Sequence, residues 1–377
     1  MLAQRRILVD ASMVTSGGGY TYLVNMVPAL AGACPETQFL VLVRTPDLAP
    51  QISPMANLEI RALPQSGLLG RIAFLTSRAA KVAAAWEADV YLSAAEYAPW
   101  GADCPVVVQL RNANVFTSLE MGWGSYQKFR LSVLRRLATL SARRAAKVIF
   151  VSKDSADWMG DAARVPRDRR AVVYHGVDLE GWRLAMNSSP RTAKPGILSL
   201  SSIYRYKNCV RLVEAYCELA HRVPDLPPLT IVGDNLDSKY SGELRRAIEC
   251  AGEHASKIKL VGTVPYEEIV AWYREASLFV FPSYLETFGH PLIEALASGL
   301  PIVAADIPVF REIAGEAALY ADPFDVSEIA NAMERVLEDE GLSGRLSELG
   351  QERVETFTWK SAANRLASLL DEVIAEG

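Results

Sequence analysis

Short apolar runs recur along this chain, and between them apolar residues fall three or four positions apart. Runs at residues 7–10, 39–43, 90–92, 106–110, 148–151 and 171–174 predict strands, while the helical spacing around 20–31, 71–84 and 126–146 predicts helices between them. Such alternation predicts an α/β domain built on a doubly wound sheet. The polar stretch 187–196 then interrupts the pattern and reads as part of an inter-domain connection. Alternation resumes with runs at 197–201, 229–232, 258–261, 278–281 and 302–305, which predict a second doubly wound sheet. Trp359, Ala362, Ala363, Leu366, Leu370 and Val373 follow at helical spacing and predict a closing amphipathic helix packed on one or both domains. Two open parallel sheets that face each other bind ligands where the carboxyl ends of their strands meet.

With 377 residues, 50% of them hydrophobic and 22% charged, the chain has room for two such domains, and its composition is globular rather than disordered or fibrous. Residues 1–10 carry a basic pair and only a short apolar run, so they read as a first strand and not as a secretory signal, and no apolar run is long enough to span a bilayer. Five scattered cysteines without C-x-x-C spacing (Cys34, Cys104, Cys209, Cys217 and Cys250) fit reduced cytosolic thiols rather than disulfides or zinc. Four histidines are too few for a histidine-rich metal site. A cytoplasmic protein is expected.

Charge is unevenly spread. Residues 1–180 hold 20 Lys and Arg against 15 Asp and Glu, and the remainder holds 19 against 29. Much of the positive excess lies at 128–147, where Lys128, Arg130, Arg135, Arg136, Arg143, Arg144 and Lys147 are interleaved with Leu131, Val133, Leu134, Leu137 and Leu140 and no acid intervenes. This segment predicts an amphipathic basic helix. Its cationic side is either a solvated face or a surface for anionic lipid and lipid-phosphate acceptors, which would give peripheral contact with the inner membrane face. No nucleic-acid partner is expected of an acidic protein without aromatic-basic recognition patterns.

Candidate chemistry gathers after the strands. Glu286 and Glu294 stand eight positions apart in the run Ser283-Tyr-Leu-Glu286-Thr287-Phe288-Gly289-His290-Pro291-Leu-Ile-Glu294-Ala-Leu-Ala-Ser-Gly299. Pro291 suits the first turn of a helix and Gly299 its C′ position. Glu286 is thereby expected in the loop before that helix and Glu294 in its first turn, with the amides around Gly289 and His290 placed to bind an anion. A first-turn Glu is equally an ordinary complement to the helix dipole. Arg205 and Lys207 follow the strand at 197–201 and either neutralise a diphosphate or stand in a solvent-facing turn. Gly17, Gly18 and Gly19, between the first strand and the first helix, make either a tight turn or a loop whose amides approach a ligand. His175-Gly176-Val177-Asp178 and Gly233-Asp234 each end a strand and are compatible with plain turns. No D-x-D occurs to hold a divalent cation on a diphosphate.

Together these segments resemble the family 4 retaining glycosyltransferases of the two-domain GT-B fold over nearly the whole chain. Glu286 to Glu294 corresponds to the family's E-x7-E element, continued through Gly299 and Pro301, and Lys207-Asn208 corresponds to its K-N/G element. Val264-Pro-Tyr-Glu-Glu-Ile resembles its base-side loop, His175-Gly-Val-Asp178 its hinge signal, and Phe357-Thr-Trp359 the entry of its C-terminal helix. The resemblance implies an acceptor-side Rossmann-like domain over 1–181, a nucleotide-sugar domain over 182–356 and a crossover helix over 357–377 that packs across both. It implies that Glu294 holds the ribose hydroxyls and that Glu286, Thr287 and the amides of Phe288, Gly289 and His290 hold the donor sugar, with Gly233 and Val264 completing the donor pocket. Lys207, with Arg205, would stabilise charge on the diphosphate leaving group. The loop of Gly17, Gly18 and Gly19, with Arg111 and Asn112, would face the acceptor or a phosphate.

By the same resemblance no metal or other cofactor is needed, a GDP-sugar is the favoured donor, and Glu286 binds the sugar instead of attacking it as a glycosidase nucleophile would. Two positions depart from the family pattern. Its G-R pair falls on Ser201 and Ser202, leaving Arg205 to stand in, and the histidine usually delivered after strand 106–110 is replaced by Arg111-Asn112, where a surface ion pair is the alternative use of Arg111. The implied activity is retaining, metal-independent transfer of a hexose, mannose or a related sugar, from a nucleotide diphosphate sugar to a saccharide or lipid-linked saccharide. The Tyr204-Arg-Tyr-Lys-Asn208 variant resembles bacterial mannosyl- and rhamnosyltransferases of surface polysaccharide synthesis. Alternatives are a non-catalytic nucleotide-sugar-binding partner subunit with a degenerate acceptor site, and a sugar-nucleotide epimerase on the same fold, which would lack the E-x7-E arrangement.

Overall fold

The computed structural model describes residues 5–14, 18–64, 67–188 and 196–376. They fall into two units, Met1–Gly176 with Trp359–Gly377, and Val177–Thr358. In the first unit, β1 (Arg6–Ala11), β2 (Gln38–Val43), β3 (Leu58–Ala62), β4 (Val90–Ser93), β5 (Val106–Leu110), β6 (Lys147–Phe150) and β7 (Arg170–Val172) lie in the order β3-β2-β1-β4-β5-β6-β7. All of these pairings are parallel.

Side chains sort by parity, as pleated strands buried on both faces require. Ile7, Val9, Phe39 and Val41 pack with the helices Gly18–Ala33 and Trp359–Glu376, whereas Leu8, Leu40 and Leu42 pack with the helices Leu68–Ser77, Ala79–Ala85, Ser125–Arg144 and Lys153–Ala162. The single helix expected at 71–84 is therefore two. Thr76 and Ser77 turn their hydroxyls back onto the Ile72 and Ala73 carbonyls, a competition that weakens the helical ladder just before the break at Arg78. The basic helix forms as expected: Leu131 and Leu134 are buried, Arg135, Arg136 and Arg143 are exposed, and Tyr126 and Phe129 project into solvent at its start. Among the described residues, no helix is long and apolar enough to cross a membrane.

In the second unit, β8 (Gly196–Leu200), β9 (Leu229–Val232), β10 (Ile258–Gly262), β11 (Ala276–Phe281), β12 (Ile302–Ala305) and β13 (Leu319–Ala321) form a parallel sheet in the order β10-β9-β8-β11-β12-β13. Both sheets are doubly wound, reversing direction between β1 and β4 and between β8 and β11. At such a reversal the flanking loops part and leave a crevice at the carboxyl ends of the strands.

The chain leaves the first unit at Gly176–Val177 and returns at Thr358–Trp359. Beside these crossings Val177 N–H donates to the Phe357 carbonyl at 2.9 Å. The helix Leu179–Asn187 belongs to the second unit because Trp182 anchors it there: its indole Nε1 donates to Ser298 Oγ at 2.7 Å and its ring lies 5.6 Å from that of Tyr273. The polar stretch expected in the connection therefore falls within the numbering of the second unit, and residues 189–195 of it lie outside the described residues. The returning helix, Trp359–Glu376, buries all six of its expected apolar positions in the core of the first unit. Its Trp359 packs 5.8 Å from His175, which in turn lies 5.6 Å from Tyr22.

Candidate active site

The clustered chemistry lies at the β8–β11 reversal. After the buried strand β11 the chain runs through Ser283 and Glu286 and enters the helix His290–Ala297. Gly289 makes that entry. Its φ of 91° lies in the left-handed region, and an added Cβ would sit 3.0 Å from Phe310 Cε1 and 3.3 Å from Phe281 Cε1, so both backbone and packing call for glycine. Gly299 occupies the C′ position as expected, with Gly299 N–H donating to Leu296 and Leu300 N–H to Ala295 in a Schellman pattern. Because the helix begins at His290, Glu294 falls in its second turn, and no acid stands in the first. This corrects the expected placement and removes the dipole-complement reading of Glu294. The side chain faces inward instead.

Glu294 is only 4% exposed, and its Oε2 accepts a hydrogen bond from Tyr273 Oη at 3.0 Å. Burial pushes its carboxyl up to about 7, against the opposing effect of that bond. Tyr273 itself is fully buried, and burial together with Glu294 drives its phenol well above the ordinary range. Sequence reasoning missed Tyr273. It sits in the short helix Ile269–Arg274, where an apolar aromatic gives no sign of a carboxylate from a later element.

Lys207 and Glu286 form a nearly buried ion pair, with Nζ donating to Oε1. Burial works against the ammonium charge, but Glu286 and Tyr206 outweigh it and hold the Lys207 pKa above its ordinary value. Ser283, also missed in the sequence, places its Oγ 3.0 Å from Glu286 Oε1 and 3.1 Å from the Tyr206 carbonyl. Asn208, in the left-handed conformation with φ 64°, donates from Nδ2 to the carbonyls of Pro282 and Pro323. It thereby ties the Lys207 loop to the end of β11. The Lys-Asn pair has two jobs: one residue carries charge and the other fixes the loop that presents it.

Arg205 points elsewhere. It donates to Glu243 at 2.6 Å and lies 5.1 Å over the Tyr240 ring, so the cation expected to replace the missing arginine is held by the helix Ser238–Glu249. Gly233 lies where the loops after β8 and β9 touch, since a Cβ there would come within 1.8 Å of the Ser201 carbonyl oxygen. Its N–H donates to Gly262 at 2.9 Å, and Thr263 Oγ1 donates to Asp234 at 3.0 Å, which brings half-buried Val264 beside the same loops. Phe288 is buried and packs against Phe357, while His290 meets its edge at 5.6 Å and Thr287 is half-buried.

On the first unit, Gly18 and Gly19 open the helix Gly18–Ala33, and Gly17 lies outside the described residues. Arg111 turns inward: its guanidinium donates to the Ala94 carbonyl and lies 4.5 Å over the Tyr22 ring. Burial lowers its pKa, against the pull of Glu96 and Tyr22. The backbone N–H of Asn112 donates to Glu96 at 3.1 Å, and its side chain caps the helix Ala113–Phe116.

Two family models divide the chain between them. One, described as Glycosyltransferase Family 4, matches residues 16–180, and the other, described as Glycosyl transferases group 1, matches residues 185–353. The chain belongs to the family 4 glycosyltransferases. Lys207, Glu286, Glu294 and Tyr273 all fall within the second match. Among relatives, mannosylfructose-phosphate synthase of Agrobacterium fabrum is 34% identical over 182 residues, which is 46% of this chain and 40% of that protein. O-antigen chain mannosyltransferase B of Escherichia coli is 32% identical over 114 residues, 30% of each chain. The chain thus spans less than half the length of these curated relatives. The solved structure of Anabaena HepE in complex with UDP and glucose superposes with a TM-score of 0.75 at 21% identity, covering 97% of this chain and 99% of that one. That likeness establishes the GT-B fold.

Proposed function

We propose that the chain is a retaining, metal-independent hexosyltransferase that moves a sugar, mannose in the first instance, from a nucleotide diphosphate sugar to a saccharide or lipid-linked saccharide acceptor in bacterial surface polysaccharide synthesis. The observation that carries this reading is the grouping of the Lys207–Glu286 pair, the start of the helix His290–Ala297 and the buried Glu294 at the β8–β11 reversal. In it, Glu294 accepts the paired ribose hydroxyls, since a carboxylate can take two donors at once. Glu286 holds the donor sugar.

As the bond from the sugar C1 to the diphosphate oxygen breaks, negative charge grows on the leaving group. Lys207, kept cationic by Glu286, and the positive end of the helix stabilise that charge. The acceptor oxygen bonds to C1 on the face the diphosphate leaves, and its proton passes to a diphosphate oxygen, so the configuration is retained. The sequence has no D-x-D for a divalent cation, which leaves Lys207 as the principal positive charge in this scheme, with Arg205 joining only by leaving Glu243.

Mannose draws support from the names of the two relatives, and the UDP and glucose bound to HepE make UDP-glucose the second donor to try. The protein would work in the cytoplasm, with the exposed cations of the helix Ser125–Arg144 and its exposed Tyr126 and Phe129 against the inner membrane face. Transfer assays with GDP-mannose and a saccharide acceptor panel test the reading. Turnover by the wild-type chain should fall by about 10²-fold or more in Lys207→Ala, with circular dichroism confirming the fold. Undiminished turnover in that variant would contradict it, and nucleotide binding without turnover would favour the partner-subunit alternative.

A further inference from the structure

A cavity of 340 Å³ opens within the first unit, lined at the carboxyl ends of β1, β2 and β3 by Ser12, Arg44 and Leu63. Arg71, Phe74 and Arg78 line its other side. No ion pair among the described residues engages Arg44, Arg71 or Arg78. Arg71 Nε is buried without a hydrogen-bond acceptor, and so is Ser12 Oγ, on a residue only 1% exposed. Each such orphan lacks the hydrogen bond that would offset its desolvation, at a greater cost when the group is charged. Burial, then Arg44, then Arg130 all disfavour the charge on Arg71, and only Tyr97 acts the other way. The cluster therefore assembles positive charge and idle donors around a space with no counter-charge of its own.

A ligand that fits must bring negative charge and several acceptor oxygens. Guanidinium groups match phosphate in both respects, and the volume falls in the range of about 300–1,000 Å³ typical of small-ligand sites, enough for a sugar beside its phosphate. We propose that this cavity binds a phosphoryl group carried by the acceptor, with Arg71 and Arg44 as its principal partners and Ser12 as a further donor. Assigning the phosphoryl group to the acceptor rests on the transferase reading above; the anion site stands on the cavity itself.

The test is titration of the full-length protein with mannose 6-phosphate against mannose, and with vesicles of phosphatidic acid in phosphatidylcholine against phosphatidylcholine alone. The wild type should prefer at least one phosphorylated probe over its neutral counterpart by about tenfold or more, and Arg71→Gln and Arg44→Gln should each abolish most of that preference. Preference for the hexose phosphate alone identifies a soluble phosphorylated acceptor, and preference for the vesicles alone a lipid-linked one; either supports the site. Absence of preference for both, or preference unchanged in both variants, overturns it. Arg78 is exposed, whereas Arg44 and Arg71 are half-buried, so Arg78→Gln keeps the test decisive should either of the other variants unfold: a several-fold loss supports the site and an unchanged preference counts against it. A parallel titration with GDP-mannose and UDP-glucose separates the two readings, since phosphate binding without binding of either donor would sink the transferase reading and leave the cavity standing.

Discussion

Glu286 and Glu294 share a residue type and a loop-helix segment, yet their surroundings differ. Glu286 faces an ammonium and a hydroxyl, whereas Glu294 has one phenol and a dry environment that pushes its carboxyl up to about 7. An acid whose pKa is raised on folding keeps its proton longer in the folded state than in the unfolded one. Its contribution to stability is therefore fully present below about pH 4.5 and is lost as pH rises toward 7, a change on the order of 3 kcal/mol. Glu294→Gln should remove this loss, so its melting temperature should fall less than that of the wild type between pH 5 and 8. Parallel slopes for the two proteins would show that Glu294 is not the titrating group. The eight-residue spacing was readable from the chain, but the environment was not, because Tyr273 arrives from an earlier helix and Lys207 from the loop after β8. Arg205 shows the same limit in reverse: its partner Glu243 lies in a helix that local reading could not connect to it.

At the scale of elements, the helix His290–Ala297 depends on a single glycine that aims it. Gly289→Ala would place a methyl group against Phe310 and Phe281 at a left-handed φ, and should destabilise the protein by about 1–3 kcal/mol. Gly252→Ala is the control, because its φ of 59° is also positive but open space surrounds it. Urea midpoints should therefore rank Gly289→Ala as the less stable of the two, and the reverse order would show that packing does not set this turn. Strands that are wholly or mostly apolar, such as β5, β9 and β12, were legible to the residue. The edge strand β3 was not, since Glu59 and Arg61 break its apolar signal and only one neighbour pairs with it. The two-helix break at Arg78 was hidden too, because it arises from hydroxyl back-bonding within an otherwise continuous apolar period.

For the whole molecule, two doubly wound sheets exchange chain at two adjacent crossings, and the last helix belongs to the core of the first unit. Its helical period was plain in the sequence, whereas its destination depended on which buried surface was left to cover. Leu366 is fully buried there, so Leu366→Ala should cost about 2–5 kcal/mol and lower the melting temperature; a variant as stable as the wild type would contradict that packing. Cationic chemistry in the first unit and buried carboxylate chemistry in the second fit a division between acceptor and donor. The most direct measurement of that account is titration calorimetry of the full-length protein and Glu294→Ala with GDP-mannose and UDP-glucose. It predicts saturable binding of one donor by the wild type and a loss of about tenfold or more in the folded variant. Failure of both donors to bind, or equal affinity in the variant, would contradict the assignment of the β8–β11 reversal as a nucleotide-sugar site.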